Sequence, residues 1–442
     1  MFSTKKVLLI LTVIALLVTF VSPSGQTAGP RTITFWHIWD GTRVKLIEEQ
    51  IADFEAIYPD IKVKHTLIAA NAMTEKYLTA IAGGAPPDVI MLRAGDMPSF
   101  AVRKALVPLD KYIKKDAVKT EEVFFGGELS PHKYKGTTYS LPVVTGGGNF
   151  LLFWNKAVFR EAGLNPEQPP KTWAELTEMA KKLTVFEGKK LKRLAFNPLA
   201  GGSVPERATP FQLWSATNNT SYLSGDGKKV LFNSKEGLRT FEFLQDYINN
   251  VCGGYDNISA IAGPDRNTNR LAFYNGQSAM INEGSYFFFM AKKEAPNLDF
   301  GAAELPYNSA NPKAASKTPT EGGWGYAIPS NSKNIEAAWK WIKYTTAMEG
   351  NRKFCLAQQR PSPVKQYSTD PVMSQGNDYW PVVLSSLDHG VAIPPSPVRA
   401  KLKDTILQME EKVWFNKMTP KDALKWGAEE GQKVLDEWYN TH

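Results

Sequence analysis

Aromatic side chains set beside planar polar ones are the chemistry that stands out in this chain. Trp39-Asp40, Phe211-Gln212-Leu213-Trp214 with Asn218-Asn219, Glu283-Gly284-Ser285-Tyr286 and Gly322-Gly323-Trp324 all fall in segments that read as loops. A sugar has apolar C–H faces and a rim of hydroxyls. Its site therefore needs aromatic platforms together with fixed donors and acceptors. Trp324 is well suited, because the preceding glycines leave room for a ligand to approach closely. Trp214 fits a satellite core equally well.

Other chemistries find less support. The histidines stand at 37, 65, 132, 389 and 442, with no H-x-x-x-H pair, and neither cysteine lies in a C-x-x-C, so no metal is expected. No EF-hand loop and no G-x-S-x-G occurs. Glu48-Glu49 and Glu121-Glu122 are adjacent carboxylates, but adjacency along the chain does not build an acid/base pair across a bond. The run Gly146-Gly147-Gly148 belongs to neither phosphate-loop pattern. No cofactor is expected.

The elements that must position these residues alternate between strand and helix. Ile33 and Phe35 share one face of a short strand that ends at Trp36-His37. Val44, Ile47, Ile51 and Phe54 recur at helical spacing, with Thr42 as the expected N-cap and Pro59 as the stop. Ile61, Val63 and Leu67 alternate as a strand, Thr74 to Ala82 reads as a helix, and Asp88 to Leu92 as a buried strand. This β-α-β-α-β order opens a doubly wound sheet. Ligands of such sheets sit beyond the carboxyl ends of the strands. Those ends carry Trp36, His37, Trp39 and Asp40, then Asn71, then Arg93 and Asp96. Further on, Thr172-Trp173-Ala174-Glu175 is a capping box, Ser234 opens another helix, and Thr419-Pro420 starts the last one. Strands are expected at Ser278 to Asn282, Phe300 to Leu305 and Gly322 to Ile328, so the class is α/β.

The chain has 442 residues, which at roughly 150 per domain suggests about three domains or two larger lobes. Hydrophobic residues make up 43% and charged residues 22%, enough for a core and against wholesale disorder. The formal charge of +8 comes without a concentrated basic stripe, so no nucleic-acid partner is expected. Residues 1–28 have a secretory-signal layout, with Lys5-Lys6 before the apolar stretch Val7 to Val21 and small residues after it. Cutting there removes two lysines and takes +8 to +6. No cysteine lies near the cut, so no lipid anchor is expected. Cys252 and Cys355 are left either as a disulfide or as two buried thiols.

Several stretches resemble the extracellular solute-binding proteins (family 1) of bacterial and archaeal ABC sugar importers. They are ITFWHIWDG (33–41), FEAIYPDIKV (54–63), YLTAIAGGAPPDVIML (77–92), LVPLDKYI (106–113) and YKGTTYSLP (134–142). In the same order follow LLFWNKAVFREAGL, PPKTWAELTEMAKKL, FYNGQSAMINEGSY (273–286), GGWGYAIPSNSKNIEAAWKWIKY (322–344) and TPKDALKW (419–426). The resemblance implies a two-lobed periplasmic-binding-protein fold of type II. Each lobe would be a doubly wound, mostly parallel sheet, with the ligand in the inter-lobe cleft. The expected division is 30–144 plus 300–347 for the N-terminal lobe and 145–299 plus 348–442 for the C-terminal lobe.

By position, the resemblance carries ligand-binding roles to Trp36, His37, Trp39, Asp40, Asn71, Arg93, Asn149, Ser285, Tyr286, Gly323, Trp324 and Arg399. Trp214 joins them from the aromatic pattern. Arg93 departs from many similar sequences, which are acidic or polar there; with Arg399 it would favour an anionic sugar or a phosphorylated polyol unless Asp96 or Asp40 pairs with it. The implied function is capture of a carbohydrate in the periplasm or outside the cell by a monomer, with delivery to an ABC permease and no catalysis. A secreted carbohydrate hydrolase is the enzymatic alternative, with Asp40, Asp96 and Glu283 as its candidate acids.

Overall fold

The computed structural model describes residues 29–145, 150–200, 208–263, 265–320 and 322–441. The signal-like segment 1–28, the glycine run 146–148 and Asn149 lie outside them. The main strands are β1 (Arg31–His37), β2 (Ile61–Leu67), β3 (Val89–Arg93), β4 (Ser140–Val144), β5 (Phe150–Asn155) and β6 (Val185–Glu187). They continue with β7 (Lys190–Phe196), β8 (Ser278–Gly284), β9 (Phe300–Ala303), β10 (Thr318–Thr320), β11 (Trp324–Ala327) and β12 (Gly390–Ala392).

The first sheet has the order β2-β1-β3-β11-β4. Strand β1 buries Ile33, Phe35 and His37 on one face, the period-2 alternation that its sequence carries. It pairs in parallel with β2 and β3, whereas β11 runs antiparallel between β3 and β4. The second sheet has the order β9-β5-β8-β7-β6. Its β8–β7 pair is parallel; the β5–β8, β5–β9 and β6–β7 pairs are antiparallel. Both lobes are α/β, as expected, but their sheets are mixed rather than mostly parallel. Strand β11 returns from the second lobe against the local direction, and β6–β7 is a hairpin.

Helix α1 (Thr42–Ile57) buries Ile47, Gln50 and Phe54. Its N-cap is Gly41 at φ 56°, not Thr42, and no side chain caps it. A residue with a Cβ is disfavoured at that φ, so the glycine takes the turn and Thr42 becomes the first helical residue. The capping box at Thr172 and Glu175 opens α2 (Trp173–Leu183), and Ser234 caps α3 (Lys235–Asp246).

Two boundaries of the expected division shift. Strand β9, assigned to the first lobe, pairs antiparallel with β5 from Phe300↔Asn155 to Ala303↔Leu152 in the second sheet. Gly301 permits this, because a Cβ there would run into the Trp154 indole. Helix α4 (Glu349–Ala357), assigned to the second lobe, packs on the first: Gln50 Nε2 donates to the Gly350 carbonyl at 2.7 Å, and Asn351 Nδ2 to the Val143 carbonyl at 2.8 Å. Helices α5 (Arg399–Trp414) and α6 (Pro420–Thr441) return to the second-lobe core through Ile406, Met409, Val413 and Leu424.

One apolar core joins the first sheet to an inner face of the second through Leu151, Phe153 and Phe287, and another fills the outer part of the second lobe. Cys252 and Cys355 lie in different cores and are unpaired buried thiols. No described helix is long and apolar enough to cross a membrane.

Candidate functional site

The carboxyl end of β1 is a buried scaffold. His37 is fully buried, and its Nδ1 accepts the Trp39 backbone N–H at 3.1 Å. The ring proton therefore sits on Nε2, which donates to His65 Nδ1 at 3.0 Å. The two imidazoles stack with centroids 5.2 Å apart. Burial first, and the neighbouring His65 second, hold His37 down to about 4, so it is a neutral core histidine. Trp39 is 2% exposed, donates Nε1–H to Tyr326 Oη at 3.0 Å, and meets Trp324 edge to face at 6.3 Å. Neither residue offers a face to a ligand. They fix what lies above them. Trp36 is half-buried against Tyr77, and Asp40 is exposed and paired with Arg43.

Beside this scaffold the two lobes meet through charge. Arg93, at the end of β3, lays its guanidinium 5.0 Å from the Trp324 ring centroid. Its Nη1 is 3.4 Å from Asp96 Oδ2. Arg399, the first residue of α5, reaches the other oxygen of the same carboxylate, Nη1 to Oδ1 at 3.6 Å. Asp96 is thus held between a guanidinium of its own lobe and one of the opposite lobe. Gly95 lets Arg399 through: a Cβ there would stand 2.6 Å from Arg399 Nε. The Gly323 carbonyl accepts the Ala94 N–H at 3.0 Å, so Gly323 builds the wall through its backbone.

On the second lobe, Ser285 is buried and Tyr286 half-buried at the end of β8. Tyr286 donates its hydroxyl proton to Glu283, and Arg266 lies 5.3 Å over its ring. Asn71 is exposed on the turn after β2. Trp214 is core, not site: it is 2% exposed, packs against Trp173, Phe196 and Phe243, and its Nε1–H goes to the Pro198 carbonyl.

Between the lobes lies a cavity of about 20 Å³, with Gly95 and Pro131 on one side and Gln212, Tyr222, Ser396 and Arg399 on the other. That is roughly the space of a single water. The lobes are therefore closed on each other here. Gly95, Tyr222 and Ser396 were not among the expected residues. Tyr222 carried a signal, since it follows Asn218-Asn219 in the same aromatic-plus-amide pattern. Among the described residues no group of three or more His, Cys, Asp or Glu could hold a metal ion.

The chain matches known proteins along most of its length. It is 24% identical over 427 residues to the sn-glycerol-3-phosphate-binding periplasmic protein UgpB of Escherichia coli K12, covering 93% of this chain and 94% of that one. The structure of an ABC transporter solute binding protein from Thermotoga lettingae, bound with alpha-D-tagatose, superposes with TM-score 0.73 at 26% identity, over 92% of this chain and 100% of that one. The sugar-binding protein MalE from Xanthomonas citri shares the fold, with TM-score 0.77 at 22% identity over 93% and 98% of the two chains. The model of the family described as bacterial extracellular solute-binding protein matches residues 49–379. With two lobes, a cleft bridged by charge and a family match over most of its residues, the chain belongs to the bacterial extracellular solute-binding proteins.

Proposed function

We propose that this protein is the extracytoplasmic ligand-capture subunit of an ABC importer, that it takes a carbohydrate between its lobes, and that it hands the sugar to a membrane permease. It acts as a monomer and catalyses nothing. The observation that carries this reading is Asp96, bridged from both lobes beside the Arg93–Trp324 stack. On this view the bridge holds the closed form, and hinge opening breaks it. In this reading Trp324 supplies the sugar platform, and Asn71, Arg93, Tyr286 and Arg399 supply polar contacts.

Isothermal titration against neutral mono- and oligosaccharides, uronic acids and sn-glycerol 3-phosphate tests it. Binding of a neutral sugar is the expected result. A second reading, a phosphorylated polyol, draws on the name of the UgpB relatives, although Asp96 already pairs with both arginines that would meet its charge. If only sn-glycerol 3-phosphate bound, that second reading would replace the first. Hydrolysis has little support. Asp40 pairs with Arg43, Asp96 with two arginines, and Glu283 with Tyr286, so no two of the candidate acids stand as a matched pair. Incubation with oligosaccharides should leave them intact.

A further inference from the structure

Three large apolar side chains stand out to solvent on the second lobe. Val185 and Phe186 lie on β6, the free edge strand of the second sheet, and are 38% and 42% exposed. Phe415, just after α5, is 44% exposed. They belong to one surface. A Cβ at Gly253 would stand 3.1 Å from the Phe186 ring, and Tyr255, two residues on, packs against Phe415 with centroids 4.6 Å apart.

Cations gather around it. Lys181 and Lys182 end α2, and the β6–β7 hairpin brings Lys189, Lys190, Lys192 and Arg193. Along the chain these are two short clusters, but the fold joins them. Arg193 sits opposite Val185 in the register and its Nε donates to the Leu183 carbonyl at 3.0 Å, so the turn at Gly188 lays the second cluster back on the first. Glu178, Glu187 and Glu161 answer Lys181, Lys192 and Arg193. Toward Phe415, Asp256 and Glu411 are balanced in number by Lys412 and Lys417, the latter 5.3 Å over the Phe415 ring. Lys182, Lys189 and Lys190 are exposed and have no ion-pair partner among the described residues, so they are the excess charge. Exposed rings among such lysines suit a bilayer surface, where the rings enter the headgroup layer and the ammonium groups meet lipid phosphates. Addition of a partner's strand fits less well. The β6 edge is three residues long, bulged between Val185 and Phe186 and flanked by lysines, all of which keep a sheet edge from pairing.

We propose that this face of the second lobe docks on an anionic phospholipid surface, with Val185, Phe186 and Phe415 against the headgroups and Lys182, Lys189 and Lys190 on their phosphates. Strand β6 is the edge of its sheet opposite β9, so contact there leaves the cleft free. Docking keeps the protein close to the membrane without a lipid anchor. The inference goes beyond the carbohydrate reading and is independent of which ligand the cleft takes.

The test is co-sedimentation with vesicles of phosphatidylcholine alone or with about 30% phosphatidylglycerol, at about 0.1 M salt, using protein without residues 1–28 so that the apolar leader cannot itself insert. Each lysine at an anionic surface is worth about a fivefold factor, so the phosphatidylglycerol vesicles should bind at least about tenfold more tightly, and about 0.5 M salt should release the protein. Lys182→Glu/Lys189→Glu/Lys190→Glu should lose that gain. Lys111→Glu/Lys114→Glu/Lys115→Glu makes the same charge change on an exposed helix of the first lobe and should lose less than about threefold. A second readout stands apart from these variants. Cys252 and Cys355 are buried, so an environment-sensitive dye on Glu187→Cys reports the hairpin alone, and its emission should rise with phosphatidylglycerol vesicles only. No preference for phosphatidylglycerol overturns the membrane face and leaves it to an acidic protein. Equal losses in the two triple variants, which net charge alone would give, or an unchanged dye also overturn it. In each case sugar titration of the same protein is unaffected, and the carbohydrate reading stands or falls separately.

Discussion

Lowering the pH should destabilise this protein through His37 by an amount the geometry sets. His37 accepts from Trp39 N–H on one nitrogen and donates to His65 on the other, so the neutral ring satisfies the site and a second proton does not fit. Its folded value of about 4 lies below the ordinary value of 6.5. A depressed folded value means that the associated stability is complete above 6.5 and is lost as the pH falls toward 4. The full span is worth about 3 kcal/mol at 1.36 kcal/mol per unit, and the drop between pH 7.5 and 5.0 about 2 kcal/mol. The assay is urea unfolding at those two pH values for the wild type and His37→Asn, whose Oδ1 can still accept from Trp39. The wild type should lose about 2 kcal/mol more than the variant between the two pH values, whatever the variant's absolute stability. Equal losses in the two proteins would refute the buried, neutral His37.

Gly95→Ala should push Arg399 away from Asp96 and forfeit a part-buried ion contact of about 1 kcal/mol, weakening ligand binding about fivefold by calorimetry. In an Arg399→Ala background the same change should cost less than twofold. Glu410 is buried, accepts the Phe211 N–H at 2.7 Å, and is pushed by that burial up to about 8. A raised carboxyl contributes stability that is complete below its unfolded value of 4.5 and is lost as the pH rises through about 8. Glu410→Gln should therefore unfold at higher denaturant than the wild type at pH 9, by about 1 kcal/mol or more, and not at pH 5. Cys252 and Cys355 are buried thiols, the latter pushed up to about 12 by burial. Dithiothreitol should leave the melting temperature unchanged, and iodoacetamide should label both thiols only after unfolding.

Local periodicity predicted the first three strands and the helix between β1 and β2, because each is decided by residues a few positions apart. It could not assign Phe300–Ala303, which reads as a strand in either lobe. Its partner β5 is remote in sequence, and the choice rests on Gly301 clearing Trp154. The site divides in the same way. The end of β3 leads to Arg93 and the neighbouring glycines lead to Trp324, and the register sets the two opposite each other on adjacent strands. Trp214 carries the same local signature as a sugar platform, yet Trp173, Phe196 and Phe243 converge on it from separate segments and bury it. Trp39 reads as a platform in the same way, yet its indole N–H is taken by Tyr326 on β11, a strand remote in sequence. Tyr222 shows the reverse, an exposed-looking loop tyrosine that the closed lobes turn into a cavity wall.

Strand β11 lies between β3 and β4, although it follows both of them and the whole of the second sheet in the chain. A polypeptide delivered from its N terminus, by a ribosome or through a membrane pore, holds the first lobe with an open seam until Ala327 has emerged. Until then β3 and β4 each present an unpaired edge. Folding must therefore wait for late residues, which slows it, and a chain that cannot fold early stays threadable. The interleaving that couples the two lobes also sets a clock on when either of them can exist.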